Sequence, residues 1–490
     1  MAQSRRAALD LPWTRADDLY VDGTWRPSSG CTRTEVIDPA TEEVWGSVPD
    51  ATPEDLDTAV TASRRAFDQG EWPKLTPSTR AGYLLGIAGE LEKRAEPLAW
   101  TNTRENGSPV AETLGAAANA AGIFRHFASL ADHLERPDIR PFPVGGAETI
   151  VRRDPVGVCA LIAPWNFPIN LVVIKLAPAL LAGCTAVIKP APSTPLSIRF
   201  VVEAAEAAGV PKGVVNLVTG GGEVGERLVR HAGVDKVAFT GSTEVGRRIA
   251  AACGDLLRPV TLELGGKSSA IVLPDADLDQ MAGVLLRTCL RNTGQTCYIS
   301  TRILAPAERY NEVVGRVTET VAAARQGDPF DAATVFGPVA TKTQYDRVLG
   351  FLESARREGA RVTTGGSRAS FSRGYFIQPT VLADVTSDMA VARKEIFGPV
   401  MTILRYGSVD EAVRLANDTP YGLGGVVFSS DPDRALAVAD RVDTGSIGVN
   451  FFASNHNAPF GGRHDSGLGV EYGLEGLLSY VTYKSIHRRF

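Results

Sequence analysis

Cysteine is scarce in this 490-residue chain, and the six present, Cys31, Cys159, Cys184, Cys253, Cys289 and Cys297, are scattered without a C-x-x-C pair. A disulfide framework or a thiolate zinc site is not expected, and a reducing cytoplasm fits. Histidine is equally rare. His456 and His464 stand eight apart in a Gly-rich loop and read as surface or supporting residues rather than metal ligands. No large excess of charge exists either: a net charge of -5 gives no basis for bulk binding to nucleic acid or to an anionic membrane. The opening residues carry no apolar stretch, so no secretory signal is expected. Long hydrophobic runs are also missing. The most apolar region, 156–188, is interrupted by Pro164, Asn166, Pro168, Asn170, Lys175 and Pro178. A membrane helix wants roughly 20 mostly apolar residues in a row, so this region reads as buried core.

What is present is a folding composition, 44% hydrophobic and 22% charged, at a length that suggests several domains. Residues 1–18 read as a loosely held arm. Short alternating stretches over 19–48, with an Asp22-Gly23 turn, predict hairpins. Helical spacing marks 53–69, 77–95 and 110–134. Residues 137–155, with three prolines in 137–143 and Gly145-Gly146, read as an excursion between domains. Then strands and helices alternate: strands at 156–163, 185–189, 214–218 and 236–239, helices at 169–182, 196–208, 223–231 and 243–252. Short Val/Ile-rich runs between capped helices indicate a parallel sheet covered on both faces, whose ligand sites lie beyond the carboxyl ends of the strands. A second alternation is read from strands at 260–264, 270–273, 302–304, 400–405, 425–428 and 446–449, with helices at 277–291, 308–324, 341–358, 409–417 and 431–441. The expected architecture is α/β: two α/β domains and a small oligomerisation element.

Four local patterns could carry chemistry. Cys297 follows Asn292-Thr293-Gly294-Gln295-Thr296, a loop in which a thiol could face a cleft as a nucleophile; the plain alternative is a small buried hydrophobe. Glu263 ends a hydrophobic strand before Gly265-Gly266-Lys267, as a general base or as the partner of Lys267 in an ion pair. Asn166, in Pro164-Trp165-Asn166-Phe167-Pro168, offers amide donors for an oxyanion or simply forms a turn. Phe239-Thr240-Gly241-Ser242-Thr243 joins a strand to a helix N-terminus and could cradle phosphate. Gly220-Gly221-Gly222 reads as a plain flexible turn.

Together with Ile188-Lys189-Pro190, Glu395-Ile396-Phe397-Gly398-Pro399 and Pro459-Phe460-Gly461-Gly462, these motifs occur in the order found in the aldehyde dehydrogenase superfamily, which the chain resembles from about Leu19 to its C-terminus. The resemblance implies a Rossmann-like dinucleotide-binding domain (1–136 and 156–262), a catalytic domain (263–470) and an oligomerisation element (137–155 and 471–490). It implies that Cys297 attacks the aldehyde carbon, and that the Asn166 amide and the Cys297 backbone N–H hold the oxyanion. Glu263 would activate the water that cleaves the thioester, with Lys175 and Glu471 relaying protons. For the cofactor it implies Lys189 at the adenosine ribose, Glu395 at the nicotinamide ribose, and Phe397 beside the ring. Thr240, Gly241 and Ser242 would meet the pyrophosphate, and Ala163, Pro164, Trp165, Gly225, Phe239, Val245, Leu264 and Gly265 would complete the cleft. NAD-preferring relatives often carry Glu three residues after the lysine; here that residue is Pro192, which removes a ligand for NAD and a barrier to NADP. NAD is the expected cofactor, with NADP open.

The expected substrate tunnel, Phe167, Ile174, Thr296, Tyr298, Phe452 and Phe460, is mostly apolar. It suggests a hydrophobic aliphatic, aromatic or terpenoid aldehyde over an anionic semialdehyde, which would want an arginine. Arg291 is a candidate, but reads as a helix-surface charge. Two rivals stay open: a CoA-acylating relative, which Glu263 argues against, and a catalytically silent structural relative. Family resemblance implies a homodimer or homotetramer, with 137–155 and 479–484 pairing across subunits.

Overall fold

The computed structural model describes residues 15–143 and 145–490. Most of the arm read at 1–18 therefore lies outside the described residues, and its last residue, Asp18, opens a strand.

The first sheet has eight strands in the order Thr24–Pro27, Asp18–Val21, Val215–Leu217, Thr185–Lys189, Val158–Ile162, Lys236–Thr240, Val260–Glu263 and Gly467–Leu468. Its five central strands run parallel. Because side chains alternate along a strand, each one feeds two cores. Cys159 and Leu161 face Pro168–Ala182, Ser197–Ala207 and Ala116–Ser129, whereas Val158 and Ala160 face Pro53–Asp68 and Thr243–Asp255. This double burial explains why these strands read as unbroken apolar runs. The strand Val260–Glu263, read as opening the second alternation, instead pairs with Lys236–Thr240 and extends the first sheet.

The second sheet has seven strands, in the order Arg361–Thr364, Thr380–Ala383, Val400–Tyr406, Arg302–Pro306, Ser269–Val272, Gly425–Phe428 and Gly448–Val449. Helices Leu278–Cys289 and Tyr310–Ala323 cover one face; Lys342–Arg357, Val409–Asn417 and Pro432–Ala439 cover the other. Arg361–Thr364 and Thr380–Ala383 were not expected; they are short, and a Gly- and Ser-rich stretch hides the pattern between them.

The helix expected over 110–134 is broken into Val110–Thr113, Ala116–Ser129 and Ala131–Glu135, the first break falling at Leu114-Gly115. A further helix, Ala95–Asn106, ends on left-handed Gly107. The excursion at 137–155 is a hairpin, Asp138–Pro141 with Ala147–Pro155, and Val481–Arg489 pairs with its second strand over nine residue pairs. No helix among the described residues is long and apolar enough to cross a membrane.

Candidate active site

The carboxyl ends of the parallel strands converge. Thr240 and Glu263 lie in register on adjacent strands, and Ile162 pairs with Lys189 on the other side. Beyond Ile162, the Pro164–Pro168 turn leads into the helix Pro168–Ala182, which returns Lys175 beneath the strand ends. There Lys175 Nζ donates to Glu471 Oε1 at 2.6 Å and to Thr240 Oγ1 at 2.6 Å. Lys175 and Glu471 are both buried, so each neutralises a charge that would be costly alone. Glu263 is buried beside them, and neither of its carboxylate oxygens has a hydrogen-bond partner. Burial, then the Glu471 charge, push its pKa well up, while Lys175 opposes them. The alternative ion pair with Lys267 does not form: Lys267 Nζ has no hydrogen-bond partner, and burial drives its pKa down to about 7.

Cys297 comes from the other sheet's side, on a loop of unusual backbone. Asn292, Thr293 and Gly294 all have left-handed φ, 54°, 56° and 75°. Such conformations persist in non-glycine residues only where surroundings over-determine them, and here they do. Asn292 Oδ1 accepts from Ser108 Oγ at 2.6 Å, Thr293 Oγ1 from Gly337 N at 3.1 Å, and Gln295 Oε1 from Ala340 N at 2.9 Å. Two bonds fix Asn166 against this loop: its Nδ2 donates to the Gln295 carbonyl at 3.0 Å, and its own carbonyl accepts from Asn292 Nδ2 at 3.0 Å. Gly294 packs so tightly that a Cβ there would lie 2.0 Å from the Gly398 carbonyl oxygen, and one on Gly266 would lie 2.5 Å from that of Cys297. Burial first, then the Glu263 carboxylate, raise the Cys297 thiol above its ordinary range. The same interaction places the Glu263 carboxyl near the sulfur.

Asn166-Phe167 and Cys297-Tyr298 each straddle two cavities. On one side, a cavity of about 150 Å³ is lined by Pro164, Trp165, Asn166, Thr240, Gly241, Ser242, Leu264, Gly265, Cys297, Glu395 and Phe397, with Gln344 and Arg347. Trp165 meets the Phe397 ring edge-on at 5.3 Å. Glu395 accepts from the Gly266 N–H at 3.0 Å. Gln344 and Arg347, which sequence reasoning missed, donate to the backbone carbonyls of Glu395, Ile396 and Phe397. Their only signal was two polar residues three apart on one helix. A second groove of about 620 Å³ is lined by Lys189, Phe239, Val245, Gly225 and the Gly221-Gly222 turn. This turn caps the helix Gly222–Arg230 and so shapes a groove, contrary to the plain-turn reading. Burial holds Lys189 down to about 8. Ala163 lies just behind, its N–H bonded to the Lys189 carbonyl. The apolar slot, the buried Lys189, the helix start at Ser242 and the Glu395 carboxyl fit a dinucleotide laid across both spaces.

On the other side, a cavity of about 410 Å³ includes Phe167, Tyr298, Arg291, Glu112, Asn119 and Tyr472 in its walls. Phe452 and Phe460 pack on Tyr298, at ring distances of 5.1 and 6.1 Å. Ile174 and Thr296 are not in these walls: Ile174 points into the helical core, and Thr296 is buried with its hydroxyl on the Arg291 carbonyl. Arg291 corrects the surface-charge reading, because the chain turns just after Cys289 and aims its guanidinium inward, over the Phe167 ring. His456 stacks on Tyr472 at 4.9 Å and His464 pairs with Asp443. Among the described residues no cluster of His, Cys, Asp or Glu could hold a metal ion.

The chain matches the aldehyde dehydrogenase family over residues 25–486. It belongs to that family. Among curated relatives, it is 48% identical over 471 residues to geranial dehydrogenase of Castellaniella defragrans, covering 96% of this chain and 98% of that one. It is 38% identical over 478 residues to chloroplastic betaine aldehyde dehydrogenase of Amaranthus hypochondriacus, covering 96% and 95%. Among solved structures, aldehyde dehydrogenase C of Pseudomonas syringae, a mutant in complex with NAD+ and octanal, superposes with a TM-score of 0.94 at 37% identity, covering 98% of each chain.

Proposed function

We propose that this aldehyde dehydrogenase oxidises neutral, hydrophobic aldehydes (aliphatic, aromatic or terpenoid) to carboxylic acids, with NAD+ as acceptor and NADP+ also admitted. Residues 1–136 and 156–262 form the dinucleotide-binding unit, 263–470 the catalytic unit, and 137–155 with 471–490 an element that pairs copies into a homodimer or homotetramer in the cytoplasm.

The observation that carries this reading is the junction of Asn166 and Cys297 between two cavities. Cys297 Sγ adds to the aldehyde carbon and gives its proton to the nearby buried carboxylate. The free Asn166 amide hydrogen and the Cys297 backbone N–H hold the resulting oxyanion; one such donor is worth about 10²–10³-fold in rate. Lys189, the turn at Thr240–Ser242 and Glu395 would hold NAD+, which supplies the two-electron acceptor when bound. The acyl group left on sulfur is a thioester. Glu263, as carboxylate, takes a proton from the water that cleaves it, and Lys175 and Glu471 carry that proton onward.

The walls support a neutral substrate. Phe167 and Tyr298 supply aromatic surface, and Phe452 and Phe460 pack against Tyr298. A cationic aldehyde would want an open aromatic face, but Arg291 already lies 5.1 Å over the Phe167 ring. The second reading, an anionic semialdehyde, draws on the same arginine, but its donors are already engaged, by Glu112 and by the Tyr298 hydroxyl. The similarity to geranial dehydrogenase and to the octanal-bound structure supports this reading, whereas the betaine aldehyde dehydrogenase relative supports a cationic substrate. Pro192 places no carboxylate three residues after Lys189, so nothing there repels the extra phosphate of NADP.

The test is a panel of neutral, cationic and anionic aldehydes with NAD+ and with NADP+, using Cys297→Ala as control. The control is expected to lose turnover by about 10⁴-fold or more. Retained oxidation would refute the nucleophile, and preference for a charged aldehyde would refute the substrate class.

A further inference from the structure

Arg291 and Glu112 stand 179 residues apart in sequence and meet in the wall of the substrate-side cavity. Arg291 Nε and Nη2 each lie 3.0 Å from Glu112 Oε2, and Nη1 donates to the Tyr298 hydroxyl at 2.9 Å. The Phe167 ring backs the guanidinium. One face of the cation is thus on an aromatic ring, and all three of its nitrogens are engaged. Both side chains remain partly open, at 36% and 29% exposure, so a ligand in the cavity reaches them. A pair this exposed adds little to stability. Its consequence lies in the field it leaves: two opposite charges cancel where the substrate's tail runs. Arg287, one helical turn earlier, also reaches this cavity, but it is exposed and its charge is screened by water.

We propose that Glu112 and Arg291 form a charge filter that sets substrate specificity, each masking the other so that neither an anionic nor a cationic tail finds an unpaired partner. Rejection arises from what a charged tail would have to displace. A terminal carboxylate must compete with Glu112 for a fork already filled, and a terminal ammonium must compete with Arg291 both for Glu112 and for the Phe167 face. The proposal rests on the aldehyde-dehydrogenase reading above and names the residues that discriminate within it. Removing one partner then does more than weaken a contact: it leaves the other charge bare, opening the site to a tail of opposite sign.

Three chain-matched aldehydes test this: hexanal, 6-oxohexanoate and 6-(trimethylammonio)hexanal, each compared by kcat/KM. In Glu112→Gln the ratio of 6-oxohexanoate to hexanal is expected to rise by about tenfold or more. In Arg291→Met the ratio of the trimethylammonio aldehyde to hexanal is expected to rise similarly. In the double variant both ratios fall back towards the unaltered enzyme, which a loosened cavity would not produce. Ratios within about twofold of the unaltered enzyme in both single variants would overturn the filter. If one variant is insoluble, the other decides; insolubility of both would make the pair a structural brace and overturn it too. Failure of the unaltered enzyme to oxidise any of the three would strike the underlying reading instead, and shows before any ratio is taken.

Discussion

Glu263 is the residue on which most of the chemistry turns, and its surroundings set the pH at which it works. Its pKa is raised, by burial first and by Glu471 second. A general base acts as carboxylate, so thioester hydrolysis grows as pH rises through that raised pKa and is lost below it, at a higher pH than an ordinary glutamate would give. In Glu263→Gln this rising limb should vanish and steady turnover should fall by about 10²–10⁴-fold. The burst of reduced cofactor that precedes hydrolysis should slow as well, because the same carboxylate takes the Cys297 proton, and acyl-enzyme should still accumulate; rapid-mixing kinetics with mass spectrometry of the protein checks both. Lys175 lowers the Glu263 pKa through its charge. Lys175→Met should therefore move the same limb to still higher pH. It should also destabilise the fold by about 3–5 kcal/mol, because Glu471 is left buried and unpaired. An unshifted pH profile in this variant would show that the lysine has no electrostatic hold on the base.

The element that presents Cys297 is a short loop forced into a left-handed path, and its geometry is set by partners far along the chain. Ser108, Asn166 and Gly337 hold Asn292, Gln295 and Thr293, in that order, across 184, 129 and 44 residues of separation. This marks the boundary of what could be read beforehand. The βα alternation of both sheets was legible because alternation, capping and glycine stops, such as left-handed Gly183 after Pro168–Ala182, are local signals. Motif order singled out Asn166, Glu263 and Cys297. The inward turn of Arg291, its pairing with Glu112 and the support of Glu395 by Gln344 and Arg347 were not, because each depends on a partner that no nearby residue announces. Ile174 and Thr296 are buried and outside the lining of the substrate-side cavity, since proximity in sequence to a site residue does not say which way a side chain points. The loop itself gives a sharp prediction. Gly294→Ala would put a Cβ against the Gly398 carbonyl at a left-handed φ, so backbone must shift. A displacement of about 1 Å at the nucleophile costs on the order of 10²-fold. The variant should lose kcat by about that factor and melt several degrees lower in a thermal scan. Unchanged kcat would mean that the loop's path does not position the sulfur.

At the scale of the whole molecule, two covered sheets leave the site between them, and a third sheet touches the first core through Val481 and otherwise projects from it. Val481–Arg489, Ala147–Pro155 and Asp138–Pro141 form it, the first two strands of the three in long register. Both outer strands present an unpaired edge, and the sheet exposes Ile139, Phe142, Tyr483, Ile486 and Phe490. Free edges with apolar side chains are an aggregation hazard unless covered. A second copy of the chain covers such an edge by continuing the ladder, with backbone bonds for affinity and side chains for register. The native mass should therefore be a multiple of the 52.1 kDa chain mass in sedimentation velocity. Placing charge on the edge strand, as in Tyr483→Asp with Ile486→Asp, should return it to a single chain. These residues lie outside the catalytic cavities, so the dissociated protein also separates assembly from chemistry. If the aldehyde dehydrogenase site is complete within one chain, kcat should persist in the monomer while thermal stability falls. An assembly that survives the double substitution would place the contact elsewhere on the surface.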